Sequence, residues 1–233
     1  MILELAQVQI HTRTDTCESN NGFCPDWIAD HFGDYVHPFF QHLLLVGLTV
    51  AIGFGISFTL ALIAYRRRWL INPVTQVTGI LYTIPSVAAF FLLLPITGRG
   101  TDTALVALVS YVLLIIFRNV LAGLDNVPGD IKDAGRGMGL TDRQLLWRVE
   151  VPLALPEIMA GLRIAATTTV GLATLVFFAG AGGLGGQIFA DINFKSNVVV
   201  SGGLAVLLAA VLDGLILLAQ RAVTPWSRAV AAR

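Results

Sequence analysis

Residues 125–157 read DNVPGDIKDAGRGMGLTDRQLLWRVEVPLALPE, a long polar stretch set between apolar runs. Pro128 suits the first turn of a helix, where a missing N–H costs nothing, and Asp130 and Asp133 follow where a helix amino terminus favours negative charge. Gly139 reads as the stop of that helix, and Thr141 and Asp142 as cap residues of a second. The second helix, about Asp142 to Val149, sets Leu145, Leu146 and Trp147 beside Arg143, Gln144 and Arg148. It is short, amphipathic and exposed, which suits a helix that docks into a groove on a soluble partner. Pro152 and Pro156 are expected to end it.

On either side the chain turns apolar. The 233 residues are 55% hydrophobic and 13% charged, against about 25% charged in ordinary water-soluble domains. Much of the surface is therefore expected to face lipid. A bilayer core takes about 20 apolar residues as helix, because unpaired backbone groups are too costly there. The expected spans are 39–65, 74–96, 103–121, 157–181 (apolar from Ile164) and 198–219, five in all, with Pro85 and Pro95 inside or at the end of the second. The fold class is all-α integral membrane. Residues 1–38 form an expected extracytoplasmic tail, 39–221 the membrane domain with its polar loop at 125–156, and 222–233 a cytoplasmic tail. The first apolar run starts behind an acidic segment, so the beginning does not read as a secretory signal.

Lys and Arg placement orients the spans. With the amino terminus outside, Arg66, Arg67, Arg68, Arg118, Lys132, Arg136, Arg143, Arg148, Arg163, Arg221, Arg228 and Arg233 fall inside. Of the 15 basic residues, only Arg13, Arg99 and Lys195 remain outside. Trp69 and Trp226 read as interfacial anchors. The stretch from Trp27 to His42 reads as a short surface helix, most simply a lead-in to the first span.

The polar loop resembles the cytoplasmic loop of ABC importer permeases, whose pattern is E-A-A, three residues, G, nine residues, I-x-L-P. Here Asp133-Ala134-Gly135 is followed by Gly139 and then by Val149-Glu150-Val151-Pro152, with the spacing kept and mild substitutions. The resemblance implies a type I ABC importer permease fold whose coupling helix sits in a cleft of an ATPase subunit. Asp133, Ala134, Gly139, Leu140, Thr141, Asp142, Gln144 and Leu145 would be the coupling residues. Tyr82-Thr83-Ile84-Pro85-Ser86, residues 179–185 (AGAGGLG) and Thr224-Pro225-Trp226 are similar to segments of the osmoprotectant permeases, importers of glycine betaine, choline, carnitine and proline betaine. Methionine permeases share the five-span core, and an importer of methionine or another amino acid is the alternative within the class. The implied partners are ABC ATPase subunits, a second permease subunit (the same chain or a paralogue), an extracytoplasmic substrate-binding protein and membrane lipid. The implied location is a prokaryotic inner membrane.

Other signals narrow the field. No G-x-x-x-x-G-K-[ST] occurs, so ATP and Mg are expected on the partner ATPase and no cofactor on this chain. The balanced charge gives no pointer to nucleic acid. Residues 180–185 satisfy G-x-G-x-x-G but follow a span rather than a strand, so a dinucleotide site is rejected. The glycines read as a tight re-entry with close helix approach, and as a contribution to an outer gate. Asp213 is an acid deep within a span and reads as an interhelical pair with Arg163, ahead of a substrate or proton role. Tyr82, Thr83, Ser86, Thr167, Thr168 and Thr169 are the candidates for the pathway lining. Among the aromatics Tyr82, Phe90, Phe91, Tyr111, Phe177 and Phe178, no spacing builds a cage for a quaternary ammonium ion. Cys17 and Cys24 form a small disulfide loop or remain two thiols. An ATP-independent channel or secondary transporter is the rival of another class. It is disfavoured because secondary transporters are built from paired repeats.

Overall fold

The computed structural model describes residues 16–225. Among them the chain is helix and connecting turn, with no strand. The helices are α1 (Thr16–Ser19), α2 (Pro25–His31), α3 (Val36–Arg66), α4 (Ile71–Thr83), α5 (Ser86–Thr97), α6 (Thr101–Asp125), α7 (Gly129–Gly137), α8 (Asp142–Leu145), α9 (Val151–Ala173), α10 (Leu184–Ala190) and α11 (Lys195–Val223).

Helix α6 is the hub. It packs on α3, α4, α5 and α9, while α9 also packs on α3 and α11. Glycines let these backbones close up: a methyl at Gly53 would meet Val112, and one at Gly123 would lie 2.9 Å from the Ala154 carbonyl. Small residues play this part wherever lipid offers no hydrophobic drive for helix association. Two apolar clusters result. One lies toward the end that carries α10 and includes Val46, Phe90, Leu108, Val170 and Leu184. The other, toward the end that carries α7 and α8, includes Ala61, Ile116, Phe117, Val120, Leu124, Leu146 and Ile158.

The spans differ from the expected five in ways that physical chemistry explains. By length and apolarity, three helical runs each qualify to cross a membrane: Pro25–Arg66, Thr101–Asp125 and Lys195–Val223. The expected second span is two helices, Arg68–Thr83 and Ser86–Thr97, bent by 99°. Ile84, held extended (φ −65°, ψ 127°) before Pro85, breaks it, as the clash with a proline ring demands. Pro95, in contrast, sits inside α5 without ending it. The expected fourth span begins at Val151 and stops at Ala173, well short of residue 181. At 23 residues, α9 is about 34 Å long, yet Glu157, Arg163 and three threonines dilute its apolarity. Packing against α3, α6 and α11 shields it, so it needs less apolar surface than a lipid-facing span. Helix α11 is peripheral.

The amino-terminal segment is more than a lead-in. Cys17 and Cys24 are joined as a disulfide. The Cys24 N–H donates to Ser196 Oγ at 2.7 Å, and Tyr35 Oη donates to Asn197 Oδ1 at 2.8 Å. Both partners lie in the first turn of α11, so residues 17–35 are fastened to it. The segment then runs through a 3-10 turn (Phe32–Tyr35) into α3 at Val36, three residues earlier than expected. Arg13, Trp226, Arg228 and Arg233 lie outside the described residues.

Candidate functional site

The polar loop folds as the hairpin its residues dictate. Gly139 closes α7 in the left-handed region (φ +82°). The Leu140 N–H donates to the Gly135 carbonyl (3.2 Å) and the Gly139 N–H to that of Arg136 (2.9 Å), a full Schellman stop. Thr141 then caps α8: its side chain accepts from the Gln144 N–H, and Gln144 Oε1 accepts from the Thr141 N–H at 2.9 Å. Asp142 is the first helical residue rather than the cap.

Pro152 does not end the second helix, contrary to expectation. Without an N–H it cannot close the usual bond four residues back, and the chain widens into a π turn at Leu146–Glu150, where the Val151 N–H reaches the Leu146 carbonyl. Single π turns of this kind relieve such interruptions. The outcome is one continuous helical rod from α8 into α9, with Pro156 also absorbed inside it.

Asp133, Ala134, Gly139, Thr141, Asp142 and Gln144 are exposed and Leu140 is half-buried. Leu145 is a correction. It is 2% exposed, packed where a methyl on Gly135 would lie 2.6 Å from its Cδ1, and so cannot face a partner. The departure from E-A-A at Gly135 makes room for it. Met138, 76% exposed, Trp147 and Ile131 are large apolar side chains on the open surface of the hairpin. Lys132 ties α7 to the spans: its Nζ donates to Tyr65 Oη at 2.9 Å and to the Leu124 carbonyl at 3.3 Å. Arg68 lies over the Tyr65 ring and bonds Asp125 at 2.6 Å. Arg136 contacts Asp133 and Asp142 at 3.4 and 3.9 Å; all three are exposed, and such pairs contribute little.

The break between α4 and α5 is stabilised from α6. Tyr111 Oη donates to the Ile84 carbonyl, which has no helical partner at the bend, and the Tyr111 ring meets Tyr82 edge-on at 6.1 Å. Tyr82, Thr83 and Ser86 therefore gather at one hinge. The other pathway candidates divide. Thr167 and Thr169 bond back to their own helix, at Arg163 (3.0 Å) and Ala165 (2.6 Å). Thr169 is fully buried and lines no open surface, whereas Thr168 is half-buried on α9.

At the opposite end from the hairpin, Gly180, Gly182 and Gly183 all adopt positive φ. The loop is gripped by α3, through a residue the sequence reading did not single out. Gln41 Nε2 donates to the Ala181 carbonyl (2.7 Å), and its Oε1 accepts from the Gly183 N–H (3.1 Å). A polar residue in an apolar run, near the start of the first span, was the available signal. Buried His42 contacts the Val170 carbonyl through Nε2 at 3.1 Å. Arg163 and Asp213 meet as expected, in a two-pronged pair of 2.8 and 2.7 Å between α9 and α11.

Residues 51–227 match the profile of the family described as "binding-protein-dependent transport system inner membrane component". The chain belongs to that family. It is similar to the osmoprotectant import permease protein OsmW of Salmonella typhimurium, 37% identical over 85% of this chain and 96% of that one. It also resembles the choline transport system permease protein OpuBB of Bacillus subtilis, 32% identical over 83% of this chain and 90% of its relative. Among solved structures it resembles an inward-facing MetNI methionine ABC transporter, with TM-score 0.70, 25% identity, and coverage of 82% of this chain and 94% of the other. A second match, an amino acid ABC transporter crystallised with histidines (TM-score 0.69, 16% identity, covering 84% and 96%), shares the fold. This inner membrane component thus has the type I ABC importer permease fold.

Proposed function

We propose that this permease forms the membrane path of an ATP-driven importer for quaternary ammonium compatible solutes such as glycine betaine, choline, carnitine or proline betaine. The observation that carries the reading is the run of osmoprotectant, choline and carnitine permeases that this chain resembles at 32–37% identity over most of its length. Methionine is the second reading, supported by the MetNI likeness; at 25% identity it is the weaker of the two. The test is competitive uptake of labelled glycine betaine in cells that lack osmolyte importers and carry this chain with its neighbouring subunits. Saturable uptake that needs an intact ATPase, blocked by choline or carnitine and not by methionine, is expected. Methionine-sensitive uptake, or none of betaine, would discard the solute class. Uptake indifferent to the ATPase would favour a channel or secondary transporter.

In this reading two permease copies, or this chain and a paralogue, enclose the path. ATP and Mg sit on two ATPase subunits at the hairpin end, which is the cytoplasmic end because it gathers the arginines. The amino terminus then lies outside with the binding protein, and the carboxy terminus inside. ATPase closure presses on α8. Because α8 is continuous with α9, and α9 contacts α3, α6 and α11, a displacement there tilts the core of the bundle. Alternating access follows by rocking of packed helices. Tyr82, Thr83 and Ser86 at the hinge, with Thr168, are the positions offered to the solute.

Coupling therefore depends on the geometry of the Gly139–Asp142 corner. Combining Gly139→Ala, which strains the left-handed stop, with Asp142→Asn is expected to lower uptake roughly 2- to 30-fold relative to ATP hydrolysed. Both rates would be measured on the same reconstituted complex. A folded double variant with the normal ratio would remove the coupling role.

A further inference from the structure

Arg118 lies inside α6 (Thr101–Asp125), a helix long and apolar enough to cross a membrane. Asp125 marks the hairpin end of that helix, seven residues on, so Arg118 stands about 10 Å into it. The residue is exposed. Among the described residues its guanidinium has neither an ion-pair nor a hydrogen-bond partner. Arg163, also within a membrane helix, shows the usual arrangement: Asp213 accepts from it at two points. A lone charge facing lipid is costly, and such residues turn instead to a bundle interior or a water-filled cavity.

The acids nearest along the helices are engaged or point elsewhere. Tyr111, Arg118 and Asp125 are spaced by seven, which turns each only about 20° from the last and keeps all three on one face of α6. Tyr111 spends its hydroxyl on the Ile84 carbonyl, and Asp125 bonds Arg68 at 2.6 Å. Glu157 of α9 approaches α6 at Gly123, where a methyl would lie 3.0 Å from its Cβ. Five residues beyond Arg118, that point is about 140° round the helix. The face that carries Arg118 is therefore the one that braces the hinge. Tyr111 meets Tyr82 there, about 10 Å further along α6.

A guanidinium offers a rigid fork of N–H donors that matches a carboxylate, and it repels a cation. The solutes named above divide on this point. Glycine betaine, carnitine and proline betaine carry a carboxylate, whereas choline carries a hydroxyl and a net positive charge. We propose that Arg118 receives the carboxylate of zwitterionic solutes on the hairpin side of the hinge, and so makes the permease favour betaines over choline. The proposal rests on the quaternary ammonium reading and assigns a residue to the anionic end of the solute. A lipid phosphate and an acid of a second permease copy compete for the same guanidinium. The hinge-side position favours the solute, because this face of α6 looks onto the bend where Tyr82, Thr83 and Ser86 gather.

The test uses the complete complex in proteoliposomes, with its binding protein saturated by labelled glycine betaine or by labelled choline. Arg118→Gln is expected to lower the ratio of betaine to choline uptake about tenfold, the loss of a charge-assisted contact. Arg118→Lys keeps the charge without the fork and is expected to lower the ratio less. Size-exclusion profiles and ATP hydrolysis report assembly. An unchanged ratio overturns the proposal, whether uptake is kept or is lost equally for both solutes, as a lipid or subunit contact requires. Failure of both variants to assemble also overturns it, since Arg118 is then structural. Where the wild type imports one solute alone, uptake per ATP hydrolysed takes the place of the ratio, with the same expected fall. A wild type that imports methionine and no quaternary ammonium compound overturns the solute reading and not this one, because methionine carries the same carboxylate and its uptake is then the quantity that must fall. A wild type that imports none of them overturns both.

Discussion

Gly185→Ala is expected to abolish most folded permease, while Gly186→Ala, one residue later, leaves it intact. The methyl at position 185 would fall on the carbonyl of Thr174, part of the backbone where α9 ends, whereas nothing lies within 4 Å of a methyl at 186. Backbone cannot step aside as a side-chain tip can, so α10 would have to lift away from α9. Overpacking a filled core costs about 1–3 kcal/mol, and a backbone collision belongs at or above the top of that range. The loop just before it is gripped by Gln41, so the displacement would travel into α3. Fluorescence-detected size exclusion after a heat series compares the two variants directly. Equal thermal midpoints would refute the close approach.

The second large effect concerns the pair between α9 and α11. Asp213→Ala leaves the Arg163 guanidinium without its carboxylate inside a span, where lone charge is expensive, and roughly five- to tenfold less assembled complex is expected. Arg163→Leu strands Asp213 and is expected to lower the yield comparably. Joining Arg163→Leu with Asp213→Leu removes both charges together and is expected to restore assembly, since a well-packed apolar pair commonly replaces an ion pair at little cost. Side chains 31% and 36% exposed in the isolated chain place the pair at a helix seam, where leucines are readily accommodated. The decisive measurement is uptake by the double variant. Transport near the wild-type rate makes the pair interhelical glue. Assembly without transport gives it a part in solute or proton movement. Asp213→Asn that changes neither assembly nor transport would remove both roles.

The polar hairpin was legible because its signals are local. A left-handed glycine, a threonine at a helix cap and a proline at a helix start each act over one turn of chain, and Gly139 and Thr141 do in the structure what the sequence predicts. The hairpin's continuation was not legible. Pro152 reads as a terminator, and whether the chain stops or widens into a π turn depends on α9 being held against α3 and α6. For the same reason Leu145 looked exposed: its burial depends on Gly135, ten residues away. The hinge at residues 83–86 was visible as a proline, though its 99° angle was not, because the bend depends on Tyr111 of another helix receiving the freed carbonyl. The amino-terminal segment was read as a lead-in because its partners, Ser196 and Asn197, lie more than 160 residues away.

Composition and spacing alone determined that this is an all-helical membrane protein with a capped polar hairpin between spans, since hydropathy, capping and turn chemistry are properties of neighbouring residues. They also determined the family, through segments such as residues 82–86 and 133–152 that keep their order and spacing. The tertiary structure alone decided which helix is the hub, how the second span is bent, which expected site residues are buried, and that the glycine loop is gripped by Gln41. Those outcomes come from contacts between residues far apart in sequence, and only the packed chain sets them.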